Sequence, residues 1–221
     1  MSASSTSRTL LFDLDGTLTD NYAGISRSIR HALSALAAEL PHDDLLRTCV
    51  GPPLRKTFAR LLQTQDAARV EQALTLYRER YTDEGWRENE VYAGIVDALP
   101  ALATRGHRML VCTSKPRVYA QRIITHFGLD GWLDTVYGPE LDGRFDNKDE
   151  LLAEILATEK LDAGACVMIG DREQDMLAAR ANGVESIGVL WGFGTRDELA
   201  GAGAGSIIGH PSELEPTLRR Q

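Results

Sequence analysis

The chain has 221 residues, enough for one sizeable core or for a domain carrying a smaller insertion. It is 43 % apolar and 25 % charged, an ordinary globular composition, and 24 basic against 32 acidic residues leave a net charge of −8. That charge repels a polyanion, no basic cluster offsets it, and no apolar run approaches the roughly 20 residues that span a bilayer, so neither a nucleic-acid polymer nor a membrane is an expected partner.

In chain order, the polar start "MSASSTSR" precedes too short an apolar run for a signal sequence and reads as a frayed end. "TLLFDLDGTLTD" follows at 9–20: an apolar strand that ends in Asp13 and Asp15. From Ile25 the positions Ile25, Ile29, Leu33, Leu36 and Leu40 keep helical spacing up to Pro41. A second helix is expected near 43–50. A third follows "GPP", with Pro53 in its first turn and Leu54, Phe58, Leu61 and Leu62 inward. A fourth follows Asp66, striped by Val70, Leu74, Tyr77 and Tyr81. Residues 22–84 thus read as nearly all helix.

From about Val91 short apolar strands alternate with helices. The strands are "RMLVCTS", "TVYGPE", "CVMIGD", "SIGVLWG" and a marginal "SIIGHP"; helices are expected at about 117–127, 148–158 and 174–182. Continuously apolar strands alternating with helices predict a parallel sheet covered on both faces. "TLLFDLD" belongs to it by composition, so the helical block is inserted after the first strand. Near the end, Thr195 and Glu198 have the spacing of a capping box. Cys49, Cys112 and Cys166 are odd in number and lack metal-ligand spacing, which points to a reducing, cytoplasmic home.

"DG" is often a hairpin turn. That reading needs a returning strand, whereas a helix follows here. Otherwise Asp13 and Asp15 stand at the carboxyl end of a central strand, where open α/β sheets place their ligands, and alternation puts both on one side. Two carboxylates so close repel, so a proton or a cation must lie between them. Other strand ends repeat the pattern. "CVMIGD" ends in Asp171, four residues before Asp175; "MLVCTS" ends in Thr113 and Ser114 at the expected start of a helix; Lys148 opens another helix. Each alone is ordinary, an Asp at a helix start being commonly a cap and a lone lysine a surface cation. Together they place hard oxygen ligands, hydroxyls and a cation at one edge. That inventory suits Mg²⁺ and phosphoryl transfer, in which a carboxylate can act as nucleophile.

"DLDGTLTD", "VCTSKP", Lys148 in "DNKDELL" and "GDREQD" resemble the four ordered motifs of the haloacid-dehalogenase-like superfamily over essentially the whole chain. The resemblance implies a Rossmann-like α/β core with a parallel sheet, residues 1–19 and 86–221, and a small all-helical cap at 20–85. It further implies Asp13 as nucleophile and Asp15 as general acid and then base. Thr113 and the Ser114 amide would bind the phosphoryl group, and Lys148 would neutralise charge. Asp13, the Asp15 carbonyl and Asp171 would hold Mg²⁺, with Asp175 in support and Thr17 orienting the Asp15 loop. Dehalogenating members lack the second aspartate of the first motif, so Asp15 argues for phosphate chemistry. The helical insertion is similar to the cap of the phosphoglycolate-phosphatase-like group, and "GPPLRKTF" looks like a cap loop that makes Arg55 and Lys56 candidate substrate contacts. "VGPPL", "NEVYAGI", "TSKPRVYAQRIITHFGL" and "ELDGRFDNK" are similar to its 5′-nucleotidase-like subgroup. The expectation is an Mg²⁺-dependent phosphatase acting through an aspartyl-phosphate on a small phosphorylated metabolite, a nucleotide 5′-monophosphate or a phosphoglycolate-like ester, as a monomer or homodimer. A sugar-phosphate mutase and a phospho-accepting signalling domain are the alternatives.

Overall fold

Strand β1, Thr9–Phe12, has no exposed side: Leu10, Leu11 and Phe12 are all at 0 %. A run of this kind needs a neighbour on each edge and a layer on each face. The computed structural model, which describes residues 7–219, supplies both; the part of the expected frayed start at 1–6 lies outside the described residues. Two short strands follow in the chain, β2 (Thr19–Asp20) and β3 (Glu90–Val91), which pair antiparallel in a separate ribbon. Then β4 (Arg108–Cys112) and β6 (Cys166–Gly170) flank β1, β5 (Thr135–Tyr137) lies outside β4, and β7 (Glu185–Val189) and β8 (Ser206–Ile208) extend the other side. Every pairing in this six-stranded sheet is parallel, as the alternating apolar strands predict.

The cap elements are α1 (Tyr22–Ala35), α2 (Asp43–Arg47), α3 (Leu54–Leu61) and α4 (Ala67–Asp83). The core carries α5 (Ile95–Thr104), α6 (Arg117–His126), α7 (Lys148–Glu159), α8 (Glu173–Ala181), α9 (Arg196–Gly201) and α10 (Leu214–Leu218). Strand alternation sorts them into layers. Leu10 and Phe12 join Met109, Leu99 of α5 and Ile123 of α6 in a core that runs on into the cap through Phe58 and Leu74. Leu11 faces the other way, onto Leu151, Leu152 and Ile155 of α7 and Ala178 of α8. The cap enters and leaves beside the β2·β3 ribbon, so its two tethers are stitched together at their base.

Several expectations need correction. The first helix stops at Ala35 and Leu40 is exposed. Ala37 takes φ +51°, and the amides of Ala37 and Ala38 return to the carbonyls of Ser34 and Leu33, a closure that ends the helix despite continuing apolar spacing. The second helix ends at Arg47, short of Val50, and Pro53 is the cap of α3 rather than a residue of its first turn. Helix α6 begins at Arg117, so Thr113 and Ser114 lie on the preceding loop. Helices α5 and α10 and the β2·β3 ribbon were not foreseen; Pro100 inside α5 obscures its helical pattern. At α9 only half of a capping box forms. Thr195 Oγ1 accepts from Glu198 N at 3.2 Å, while the Glu198 carboxylate binds Arg172 Nε at 2.8 Å.

Candidate active site

The register of the sheet brings the motifs together. Phe12 pairs with Val111 on one side and Ile169 on the other, so the chain leaves three neighbouring strands at one level. Asp13 follows at once, its amide donating to Ile169 O at 2.9 Å; Thr113 and Asp171 follow β4 and β6. Beyond Asp13 a tight turn reverses the chain, with Gly16 N donating to Thr19 O at 2.8 Å and Leu18 N to Leu14 O at 2.9 Å. The "DG" dipeptide is therefore a turn after all, but it leads into β2 and the cap rather than back along β1. Gly16 has φ +91°, and a Cβ there would fall 2.2 Å from Asp171 Oδ2, so both backbone conformation and contact require glycine.

Four carboxylates are buried at this edge: Asp13 and Asp15 at 3 % and 7 % exposure, Asp171 and Asp175 at 0 %. Two ammonium groups meet them. Lys148 Nζ lies 3.0 Å from Asp13 Oδ1 and also contacts Asp175 Oδ1, and Lys115 Nζ lies 2.6 Å from Asp15 Oδ2. Burial alone would strip the proton from Lys148, but the Asp13 and Asp175 carboxylates outweigh it and hold its pKa above the usual lysine value. Burial raises the Asp15 pKa, partly opposed by Lys115. Burial, then the charges of Asp13 and Asp175, push the Asp171 pKa well above the ordinary carboxylate range.

Four carboxyl groups thus face two ammonium groups, and the cluster is balanced only by added protons or a further cation. One oxygen each of Asp13, Asp171 and Asp175 lies within 4.8 Å of the others, and all three residues are buried. Asp171 is further held by Phe193 N at 2.7 Å and by the Thr17 hydroxyl at 3.4 Å. Hard, clustered, under-neutralised oxygens fit a divalent cation such as Mg²⁺. Asp175, expected in a supporting role, is a member of this trio as well as the partner of Lys148 and of the Arg172 amide.

Asp13, Asp15, Thr113 and Ser114 line one cavity under the cap. Its far wall comes from the cap: Pro52, Leu54 and Arg78, with Tyr77 and Tyr81 stacked at 5.2 Å. Arg55 and Lys56 are not in that lining. The Arg55 guanidinium binds Glu71 Oε1 at 2.6 Å and Asp146 Oδ2 at 2.8 Å, bridging cap and core, and Lys56 is exposed. Trp191 donates its indole N–H to Thr17 O at 2.9 Å and so props the turn. Sequence reasoning missed Lys115 and Arg172; the latter contacts Val50 O of the cap loop. For Lys115 a signal was present, a cation beside "TS" at a strand end.

Comparison with known proteins agrees with this geometry. The family description "Haloacid dehalogenase-like hydrolase" matches residues 10–189. A 5′-nucleotidase of Pseudomonas aeruginosa is 47 % identical over 192 residues, 86 % of each chain. The tyrosine-protein kinase PtkA of Mycobacterium tuberculosis is 39 % identical over 188 residues, 85 % of this chain, which spans 64 % of the PtkA length. Among solved structures, one described as a predicted phosphatase from Clostridium acetobutylicum superposes with a TM-score of 0.93 at 35 % identity, covering 97 % of this chain and 99 % of that one. With its motifs at adjacent strand ends and its helical insertion after β1, the chain belongs to the haloacid dehalogenase-like hydrolase family.

Proposed function

We propose that the chain is an Mg²⁺-dependent phosphatase that hydrolyses a small phosphomonoester through an aspartyl-phosphate on Asp13. As a member of its family it is a phosphoric monoester hydrolase; the metal, the intermediate and the substrate are the steps added here. The observation that carries the reading is the meeting of a buried carboxylate pair, Asp13 and Asp15, with the Thr113 hydroxyl and Asp171 at three adjacent strand ends and with Lys148 at the start of α7.

In this reading Asp13 attacks phosphorus in line, and its paired Lys148 spreads the charge that develops on the phosphoryl oxygens. The Thr113 hydroxyl and the Ser114 amide orient that group from the neighbouring strand end. Asp13, Asp171 and the Asp15 carbonyl would hold Mg²⁺, with Asp175 adjoining; the ion when bound supplies the charge neutralisation the carboxylates lack. Asp15, whose pKa burial raises, gives its proton to the leaving alcohol and then takes one from the water that attacks the acyl phosphate. Thr17, bonded to Asp171 and carrying the carbonyl that Trp191 binds, fixes the turn that presents Asp15. Arg78 is a cap cation in the cavity wall, whereas Arg55 and Lys56 stand outside that lining.

The name of the P. aeruginosa relative places nucleoside 5′-monophosphates first among substrates to try. The test is release of inorganic phosphate from those nucleotides, phosphoglycolate and sugar phosphates, each with Mg²⁺ and with chelator. Metal-dependent release supports the reading, and release unaffected by chelator removes the metal from it. The likeness to PtkA warrants one further arm, ATP with a tyrosine-containing peptide. Transfer of label to the peptide without phosphate release would replace hydrolase by kinase, and an isomerised sugar phosphate would replace it by mutase.

A further inference from the structure

Lys115 has no part in the hydrolysis set out above, yet it is 6 % exposed and its Nζ sits 2.6 Å from Asp15 Oδ2. Its backbone is fixed on both sides. The amide donates to Thr113 Oγ1 at 3.2 Å, and the carbonyl packs on Gly138, where a Cβ would fall 2.4 Å away. Its ammonium also lies 4.9 Å from the ring centroid of Tyr81, within cation–π range. Tyr81 belongs to α4 of the cap; it stacks on Tyr77 at an interplanar angle of 12° and meets Tyr119 of the core edge-on at 5.3 Å. One oxygen of Asp15 is therefore held by a cation seated between core loop and cap ring. The other, Oδ1, is buried and makes no hydrogen bond among the described residues.

We propose that Lys115, seated against the Tyr81 ring, is a positioning residue that fixes the Asp15 carboxyl with its second oxygen toward the leaving-group oxygen of the substrate. The inference rests on the phosphatase reading above. In the step it serves, an Asp13 oxygen forms a bond to phosphorus while the bond from phosphorus to the leaving oxygen breaks. The electron pair goes to that oxygen, and the proton of Asp15 moves onto it, leaving an alcohol and an Asp15 carboxylate. Because Tyr81 comes from the cap, the acid is fully seated when the cap lies on the core, which couples substrate enclosure to proton delivery.

A poor leaving group such as an alkoxide needs that proton; p-nitrophenolate leaves without it. The experiment is rapid-quench measurement of the first step with Mg²⁺, using a nucleoside 5′-monophosphate and p-nitrophenyl phosphate. Lys115→Met is expected to slow the nucleotide by about a hundredfold and p-nitrophenyl phosphate by less than about tenfold. Asp15→Asn should show the same asymmetry, Lys115→Arg should restore part of the nucleotide rate, and Lys115→Met added to Asp15→Asn should cost less than about twofold more. If Lys115→Met does not fold, Tyr81→Leu, which removes the ring and keeps the charge, must show the asymmetry in its place. Equal losses on both substrates, or a full further loss in the double variant, overturn the proposal. Asp13→Asn separates the two readings: a burst that survives in it ends covalent catalysis at Asp13, whatever the asymmetry shows.

Discussion

The ammonium of Lys148 stands 3.0 Å from Asp13 Oδ1 and touches Asp175 on its other side, all three groups being buried. Lys148→Met would leave those carboxylates facing each other in a dry site. Breaking a buried ion pair from one side typically costs about 3–5 kcal/mol, so the variant should unfold at markedly lower urea and lose turnover. The folded pKa of Lys148 is raised, so its contribution is complete below the unfolded value of about 10.4 and is lost only as pH rises through the folded one. Asp175, already pushed up to about 6 by burial against the pull of Lys148, is pushed higher once that ammonium is gone, so the stability deficit of the variant should grow as pH rises from 6 to 9 and the freed carboxylate loses its proton. A deficit that shrinks within that window would show that Lys148 loses its charge there.

Asp171 follows the same sign rule in a lower pH window. Its pKa is also raised, so the favourable difference is present below the unfolded value of about 3.9 and is lost as pH rises through the folded one. At neutral pH the metal-free fold carries the cost of a buried carboxylate among others. Asp171→Asn should thus melt higher than the wild type without metal, and should not respond to Mg²⁺. The wild type should gain about 2.7 kcal/mol at a metal concentration 100 times Kd. Calorimetry with Mg²⁺ and with chelator checks both halves, and an equal metal response in the two proteins would remove Asp171 from the metal site.

Gly16 links turn and metal site. Alanine there would hold a left-handed backbone, at a cost of order 1–3 kcal/mol, and would push its Cβ into the Asp171 carboxylate. The expected outcome is a less stable protein whose Mg²⁺ response falls along with its activity. Gly16→Ala that loses stability but binds Mg²⁺ as the wild type does would mean that the carboxylate has room to shift.

The parts of this site legible in sequence are those where local pattern and chemistry coincide. "TLLFDLD" is both a buried strand and an acidic pair, and the ends of "MLVCTS" and "CVMIGD" carry their polar groups in the same way. What the sequence withholds is pairing at a distance. Lys148 by itself reads as a solvated lysine, and only its contact with Asp13 and Asp175 explains its burial. Lys115 meets Asp15 through the adjacency of β1 and β4, a fact of strand order that no local period encodes. Tyr77 and Tyr81 have the spacing of a core stripe and do pack as one, yet the same rings wall the cavity. Arg55 sits in the first turn of α3, in a stretch of suggestive sequence, but Glu71 and Asp146 claim its guanidinium. Helix α1 ends at an alanine in a conformation that favours glycine, so its stop carries no residue signal.

The three cysteines report on the cap. All are free and buried, and burial raises each thiol pKa, that of Cys112 to about 12. The thiolate is the reactive form, so at pH 8 an alkylating reagent should leave the folded protein nearly unlabelled and modify all three positions in denaturant. They are not equivalent, however. Cys112 lies in the central sheet and Cys166 begins β6, whereas Cys49 is on the cap loop after α2 and lines the cavity beside Asp13 and Asp15. Exposure of the first two needs the core to open; exposure of Cys49 needs only the cap to lift. Peptide mass spectrometry of a slow labelling course should show Cys49 reacting first. A phosphate analogue such as vanadate with Mg²⁺ should slow Cys49 and leave the ratio of Cys112 to Cys166 unchanged. Labelling of all three at one common rate would mean that cap and core open together as a single unit.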